Sequence, residues 1–298
     1  MKVRVPASSA NLGPGFDAFA LALPLLAEFE LRPARAWSVS AEGDGVPRGE
    51  DNLFVVAALA VAAAAGREVP SQHVEQRSTI PIARGLGSSA AAIVAGAIAA
   101  NALLGDPLDR RTLLRVASEV EGHADNVAAA LYGALTISVP NGAGPMATRI
   151  AFPRTWRACV FIPKTTLGTH EARAVLGDQV SRADAVFNLA HAAALVAAVL
   201  KSDGALLSIA MEDRLHQRAR TRLVPALGAI IGAARDAGAF GAALSGAGPS
   251  VIAIAPVRLA PRVVAAMEEV AAASGVAGRG RVLRVRAAGA QVIAGETR

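Results

Sequence analysis

The sequence predicts an α+β protein built as two domains, and three observations carry that prediction. The chain has 298 residues, more than one ordinary domain core encloses and a suitable length for two. Short alternating or apolar runs that read as strands are interleaved with Ala-rich helical runs along the whole chain. The densest turn cluster near mid-chain, Asn141-Gly142-Ala143-Gly144-Pro145, stands between two such mixed halves. A boundary near residue 150 therefore divides the chain into 1–150 and 151–298. In the second half, strands alternating with helices of this length suggest a plait with helices packed on one face.

Taken in order, Val3–Val5 is a short apolar strand. Phe19–Leu23 and Glu28–Leu31 are apolar or alternating, and Pro24 between them separates two further strands. Trp37-Ser38-Val39-Ser40 alternates and leads into the turn-rich Gly43-Asp44-Gly45. Asp51 and Asn52 cap an Ala/Val helix that ends near Gly66. His73–Ile80 is the next strand. A glycine-rich turn at Arg84–Gly87 follows, and Ser88 opens a helix running to about Leu104. Asp109 caps a helix through about Glu121, a short helix follows His123, and Leu135–Val139 is a strand. The second half begins with a strand at Ala158–Ile162. Helices follow at Ala183–Leu200, Ala205 to about Arg214, and Pro225–Ala237. Strands at Ala239–Leu244 and Ser250–Ala255, a helix at Pro261–Ser274 and a strand at Val282–Val285 close the chain. There is no repeat at solenoid periods and no low-complexity linker.

Composition excludes several functional classes. Hydrophobic residues make up 53% and charged residues 18%, so a packed core forms and disorder is not expected. The longest apolar stretches, Ala57–Ala65 and Ala90–Ala100, fall short of the about 20 residues a bilayer requires. The start, Met1-Lys2-Val3-Arg4-Val5-Pro6, lacks the apolar segment of a signal peptide. The expectation is a soluble cytoplasmic protein with no membrane partner. The net charge of +6 invites a nucleic-acid reading, but the pattern does not support one. Lysine occurs only at Lys2, Lys164 and Lys201, and the arginines are scattered. Aromatics at 4% leave little for base stacking. A mild positive field would help attract an anionic nucleotide. The single Cys159 excludes an internal disulfide and a cysteine-rich zinc site, and its apolar neighbours make it a core thiol.

The strongest local feature is Pro81-Ile82-Ala83-Arg84-Gly85-Leu86-Gly87-Ser88-Ser89-Ala90-Ala91. Glycines let the backbone turn tightly and bring several N–H groups toward one oxyanion. The helix start adds unpaired N–H donors and partial positive charge. The serine hydroxyls can cap the helix or reach a phosphate or a metal-bound water. No lysine follows the glycines, which excludes a Walker loop, and Ala90 stands where the dinucleotide fingerprint has its third glycine. The plain alternative is a tight strand–helix turn with a serine cap. Two companions weigh against it. Pro6-Ala7-Ser8-Ser9-Ala10-Asn11-Leu12-Gly13-Pro14-Gly15-Phe16-Asp17 stands near the start, and Leu244-Ser245-Gly246-Ala247-Gly248-Pro249-Ser250 lies between two late strands. Polar, glycine-rich segments between apolar strands suit backbone-built ligand walls.

Together and in this order, the three segments Pro6–Asp17, Pro81–Ala91 and Ser245–Ser250 resemble the signature motifs of the GHMP kinase family. The resemblance covers most of the chain. It implies an N-terminal α/β domain, a C-terminal ferredoxin-like domain, and a cleft between them where Mg-ATP donates a phosphoryl group. Three further segments are similar to the homoserine kinase branch: Glu121-Gly122-His123-Ala124-Asp125-Asn126-Val127, Thr169-His170-Glu171-Ala172-Arg173-Ala174-Val175-Leu176, and His216–Pro225 with Arg220. No galactose-binding signature stands near the N-terminus, and no lysine lies within the first motif as in mevalonate kinases.

That resemblance implies L-homoserine and ATP as substrates and a place in threonine biosynthesis, with a homodimer as one assembly. A site for homoserine needs a cation for the carboxylate, an anion for the ammonium and a positioned hydroxyl. Arg173 and Arg220 would take the carboxylate, since a guanidinium makes two parallel bonds. Asp17 would meet the ammonium. Asn11, Thr169, His123, Asn126 and Gly246 would surround the rest of the molecule. The segment Pro81–Ala91 would bind ATP, and Ser89 with Glu121 would hold Mg²⁺. His123, Asp125 and Asn126 are the catalytic candidates, as groups that position the hydroxyl, and the base stays open. Without the resemblance, Arg173 and Arg220 would read as solvated helix-face arginines and His123 as a helix-start residue. Two other functions stay open: a kinase of the same family acting on mevalonate, a sugar or a polyol, and a non-catalytic metabolite sensor.

Overall fold

A computed structural model describes residues 1–42 and 46–293. The expected turn at Gly43-Asp44-Gly45 lies outside the described residues. The first sheet is built on a long antiparallel pair, β1 (Lys2–Asn11) and β2 (Gly15–Pro33). Around it stand β3 (Ser38–Ala41), β4 (Gln72–Ser78), β5 (Leu135–Val139), β6 (Met146–Ile150) and β11 (Gln291–Ile293). The order is β11-β1-β2-β4-β3, with β5 pairing β2 and β6. The two strands expected on either side of Pro24 are one. Between Pro6↔Leu26 and Ala7↔Leu23 the register shifts, so Pro24 and Leu25 fall in a bulge. Proline's missing N–H costs the ladder nothing there, and the strand continues past it.

The turn cluster Asn141–Pro145 closes the β5–β6 hairpin, with Gly144 N donating to Asn141 O at 2.8 Å. Strand β6 escaped the sequence reading because it is an edge strand, mostly exposed, with no apolar alternation. A domain division near residue 150 would fall between β6 and β7 (Trp156–Pro163), and β11 crosses it to pair with the start of β1.

Helices α2 (Ser88–Leu103) and α4 (Asp125–Tyr132) pack on the first sheet, and α1 (Leu53–Ala64) and α3 (Arg110–Glu121) pack against α2. Asn52 caps α1 and Asp109 caps α3, each accepting a first-turn N–H. Helix α2 is apolar on all sides and buried almost throughout, as such a helix must be. It approaches α1 so closely that a Cβ on Gly96 would sit 2.0 Å from Phe54 O.

The second sheet, β10 (Gly278–Leu283)-β7-β9 (Val251–Pro256)-β8 (Gly241–Leu244), is antiparallel throughout. Counted from β7, its spatial order is 4-1-3-2, the ferredoxin-like arrangement. Period-two alternation assigns its two faces. Cys159, Phe161, Val251 and Ala253 meet helices α9 (Leu227–Asp236) and α10 (Ala260–Ala273). Ala158, Val160, Ile252 and Ile254 join the core shared with the first half. Cys159 is thus a core thiol, its pKa pushed up by burial to about 12.

Four further helices link β7 to α9: α5 (Thr169–Ala174), α6 (Arg182–Lys201), α7 (Gly204–Ala210) and α8 (Gln217–Arg220). The sequence puts Arg173 and Arg220 on helix faces but gives α5 and α8 no bounds, since both are too short for a periodicity to show. Among the described residues, α6 is the one helix with the length and hydropathy of a membrane span, with 22% of that window buried. The sequence reading passed over it because scattered polar residues break its apolar run. One of them, Asn188, seats the helix on the protein: its Nδ2 donates to Pro14 O and, at 2.8 Å, to Asp213 Oδ1.

Candidate active site

Residues from both halves of the chain line a cleft of about 310 Å³. Its frame is the meeting of the three glycine-rich segments. Ser8 N donates to Leu86 O at 3.1 Å and Gly246 N to Ala10 O at 3.0 Å. Ser245 Oγ donates to Gly85 O at 2.7 Å and lies 2.8 Å from Ser9 Oγ. Asn11 Nδ2 donates to Gly246 O at 2.9 Å. These contacts are too close for side chains. Gly85 has φ +67, and a Cβ there would stand 2.1 Å from Ser245 O. Gly87 has φ +68, and its Cβ would stand 2.2 Å from Ser8 Oγ. Glycine is the residue such positions require.

Gly87 is also the N-cap of α2, and no side chain caps that helix. The serine cap of the plain-turn alternative is therefore not made, and Ser88 and Ser89 line the cleft instead. Pro81, Ile82, Ala83, Leu86 and the two glycines line it as well. Ala90 and Ala91 do not: they are fully buried inside α2. Arg84 reaches the cleft, but its guanidinium works elsewhere. Nε donates to Pro163 O, Nη1 to Ile82 O and Nη2 to Lys164 O, which straps the loop to the end of β7.

Behind the loop stands an acidic group. Ser89 Oγ donates to Glu121 Oε1 at 2.6 Å. Glu121 sits at the C-terminal end of α3, where the helix dipole disfavours an anion. Burial raises its pKa; the Ser89 hydrogen bond and the His123 charge oppose this, and the Asp125 charge adds to it. His123 Nδ1 lies 2.7 Å from Asp125 Oδ1, and its Nε2 lies 3.8 Å from Glu121 Oε1. Burial works to lower the His123 pKa, but the hydrogen bond and charge of Asp125, with the charge of Glu121, prevail and raise it. Asn126 Oδ1 accepts from Ser8 Oγ at 2.8 Å, which ties α4 to the first motif.

On the other wall Arg173 and Asp17 form a bidentate pair at 2.6 and 3.0 Å, each side chain more than a third exposed. Asp17 has φ +54, and its N–H donates to Asn11 Oδ1. Thr169 begins α5 and faces the same cleft. Arg220 is 2% exposed. It donates to Ala172 O, to Gly246 O and toward His216, and its guanidinium stacks 5.5 Å from the Phe16 ring. Burial, and then the Arg173 charge, lower its pKa.

The structure therefore brings Asn11, Asp17, Glu121, His123, Asp125, Asn126, Thr169, Arg173, Arg220 and Gly246 to one cleft with the Pro81–Ser89 loop. Sequence reasoning missed a less polar wall of Val46, Pro47, Asn52, Leu53 and Gln76. Asn52 both caps α1 and donates from Nδ2 to Pro47 O at 2.7 Å. Among the described residues no group of three or more His, Cys, Asp or Glu is arranged to hold a metal. Chemically, the cleft offers free helix-start N–H groups, a carboxylate–hydroxyl pair and a cation–anion pair.

Comparisons with known proteins place these features in context. A family model described as GHMP kinases N terminal domain matches residues 52–134, and one described as GHMP kinases C terminal matches residues 195–273. A homoserine kinase of Desulfitobacterium hafniense is 40% identical over 98% of this chain and 100% of its own. One of Deinococcus radiodurans is 46% identical over 84% of this chain and 82% of its own. The crystal structure of a homoserine kinase from Cytophaga hutchinsonii superposes with a TM-score of 0.89 at 31% identity, covering 98% of this chain and 97% of that one.

Proposed function

We infer, for a chain that belongs to the GHMP kinase family, that it is a homoserine kinase: it transfers the γ-phosphoryl group of ATP to the hydroxyl of L-homoserine, giving ADP and O-phospho-L-homoserine for threonine biosynthesis. The observation that carries this reading is the pair of matched recognition elements in one cleft. One is a phosphate-type loop at an uncapped helix start. The other is the Asp17–Arg173 pair with Arg220, whose charges suit a small zwitterion.

The triphosphate lies along Gly85–Ser89, where backbone N–H groups and the α2 dipole meet its charge. The less polar wall around Pro47 and Leu53 takes the base. Ser89 and Glu121 would hold Mg²⁺, because they supply two hard oxygen donors side by side. When bound, the ion neutralises phosphate charge, which phosphoryl transfer requires. The homoserine zwitterion opens the Asp17–Arg173 pair and gives each member a new partner. Its ammonium goes to Asp17 and its carboxylate to Arg173 and Arg220, with Asn11, Thr169 and Gly246 lining its path. His123, Asp125 and Asn126 position the hydroxyl in line with the γ-phosphorus. The hydroxyl oxygen bonds to that phosphorus as the bond to the β,γ-bridging oxygen breaks, and the hydroxyl proton leaves to the transferred phosphoryl group. ADP release measured over L-homoserine, mevalonate, galactose and polyol substrates tests this. Turnover of homoserine is expected, and turnover of another alcohol in its place overturns the reading.

The proposal extends to a cytoplasmic homodimer. The α6 face leaves Val186, Leu189 and Leu200 exposed, Leu189 by 73%, and a second copy would cover them. Light scattering on wild type and Leu189→Glu checks this, with a dimer and a monomer as the expected pair.

A further inference from the structure

Beneath the cleft lies a residue that touches none of the reacting groups yet bonds one of the two arginines. His216 is fully buried. Its Nε2 stands 2.9 Å from Gly13 O and its Nδ1 stands 3.1 Å from Arg220 Nη1. A carbonyl oxygen only accepts and a guanidinium only donates. Both bonds form together only if the ring is neutral, with its proton on Nε2 and a bare lone pair on Nδ1. The alternative tautomer breaks both bonds, and the imidazolium turns an N–H toward a cation.

The surroundings enforce the same state. The charged groups facing the ring are Asp213 on the turn before α8, Arg220 on α8, and Asp17 on β2. Burial, with the charge of Arg220, holds the His216 pKa below its ordinary value against the opposing pull of Asp213 and Asp17. Asp213 is occupied in any case. Its carboxylate accepts the backbone N–H groups of Leu215, His216 and Gln217 and the Asn188 amide, so it builds the turn that places the ring. The other face of the ring stacks on Phe16 at 5.2 Å, and the same Phe16 ring lies under both Arg173 and Arg220. The loop His216 grips is equally fixed: a Cβ on Gly13 would stand 2.4 Å from Met211 O.

We propose that His216 is a positioning residue for substrate selection: as a neutral, Nε2-protonated ring it fixes Arg220 relative to the Gly13–Asp17 segment, so that the cation and the anion that read the carboxylate and the ammonium on the substrate's α-carbon keep one spacing. This rests on the assignment of Arg220 to the substrate carboxylate. A side chain lacking the two bonds leaves Arg220 free to drift, and recognition of the carboxylate weakens while nucleotide binding does not.

His216→Phe keeps the ring and its stack on Phe16 and removes both bonds. The expected result is a rise in KM for L-homoserine of roughly 10- to 100-fold, the loss of one hydrogen bond to a charged group. KM for ATP is unchanged, and kcat/KM for 3-aminopropan-1-ol, which lacks the carboxylate, is unchanged. In an Arg220→Ala background the same substitution costs homoserine little more, because the two residues act as a unit. Equal losses on both alcohols, or additive losses in the double variant, make His216 a plain structural residue and overturn the proposal. If wild type itself shows no preference for homoserine over 3-aminopropan-1-ol, the carboxylate assignment fails first, and that failure is read from wild type alone. Nitrogen NMR of the wild-type imidazole gives a readout independent of any variant's folding. A neutral ring with its proton on Nε2 near neutral pH is expected, and an imidazolium or the Nδ1–H tautomer overturns the proposal.

Discussion

Asp17 and Arg173 hold each other through two hydrogen bonds, and both side chains are more than a third exposed. A pair that open contributes little to stability, on the order of 0–1 kcal/mol. Its value lies in binding, where substrate excludes the water. Arg173→Ala is therefore expected to leave Tm nearly unchanged while lowering kcat/KM for homoserine by roughly 30-fold or more, the scale of truncating a desolvated charge pair. Arg173→Lys should recover only part of this, since an ammonium cannot reproduce the fork. Steady-state kinetics beside a thermal melt decide the matter; equal loss on a carboxylate-free alcohol would make the arginine structural. Glu121 behaves in the opposite way. Burial raises its pKa, so folding carries a desolvation cost that is fully present above the folded pKa and absent below the unfolded value of 4.5. Glu121→Gln should thus match wild type in Tm below pH 4.5 and exceed it as pH rises through the folded pKa. Its turnover at saturating Mg²⁺ should fall by about 100-fold or more. A variant that gains no stability and keeps its turnover would return Glu121 to the status of a helix-end residue. The sequence exposed these residue types because charged groups beside glycine-rich loops are chemically conspicuous. It could not show that Asp17 and Arg173 meet, since 156 positions separate them, nor that Arg84 is a strap for the loop.

Among the elements, α2 joins two kinds of glycine that a sequence cannot tell apart. Gly87 opens the helix at φ +68 against Ser8 and Asn126, and Gly96 lies mid-helix against the backbone of Phe54. Gly87→Val is expected to raise KM for ATP by about 5- to 150-fold, the equivalent of the 1–3 kcal/mol that overpacking costs. Since its side chain would also push Ser8, which bonds Asn126, KM for homoserine should rise with it. Gly96→Ala should lower Tm by a similar free energy and leave both KM values within about twofold. Unchanged nucleotide affinity in the Gly87 variant would count against the loop as the phosphate site. Capped helices and apolar strands were legible: Asn52, Asp109 and the apolar strands β7, β8 and β9 follow from local chemistry, whereas β10, expected at Val282–Val285, lies at Gly278–Leu283 because most of it is an exposed edge built of glycine and arginine. Elements whose signal is not local were not. Strand β6 is an exposed edge, α5 and α8 span fewer than seven residues, and the passage of β2 through Pro24 depends on a bulge set by its partner strand.

At the scale of the molecule, three segments near residues 10, 85 and 246 fold back onto one another, and β11, the last strand among the described residues, returns to pair with β1. The cleft exists because of these long-range closures, so no stretch of sequence contains it whole. Its motifs could be read in advance because each is built of glycine and small polar residues between apolar strands, a pattern that packing alone does not favour. The less polar wall around Asn52 and Gln76 could not, because its residues also serve as cap and strand. The central claim is that this cleft moves a phosphoryl group from ATP to one particular small alcohol. The direct measurement supplies ATP labelled at the γ-position with an equimolar mixture of L-homoserine, mevalonate and galactose, and identifies the labelled product by phosphorus NMR and mass. The account predicts label in O-phospho-L-homoserine alone; label in either other ester, or ADP formed with no phosphate ester at all, would contradict it.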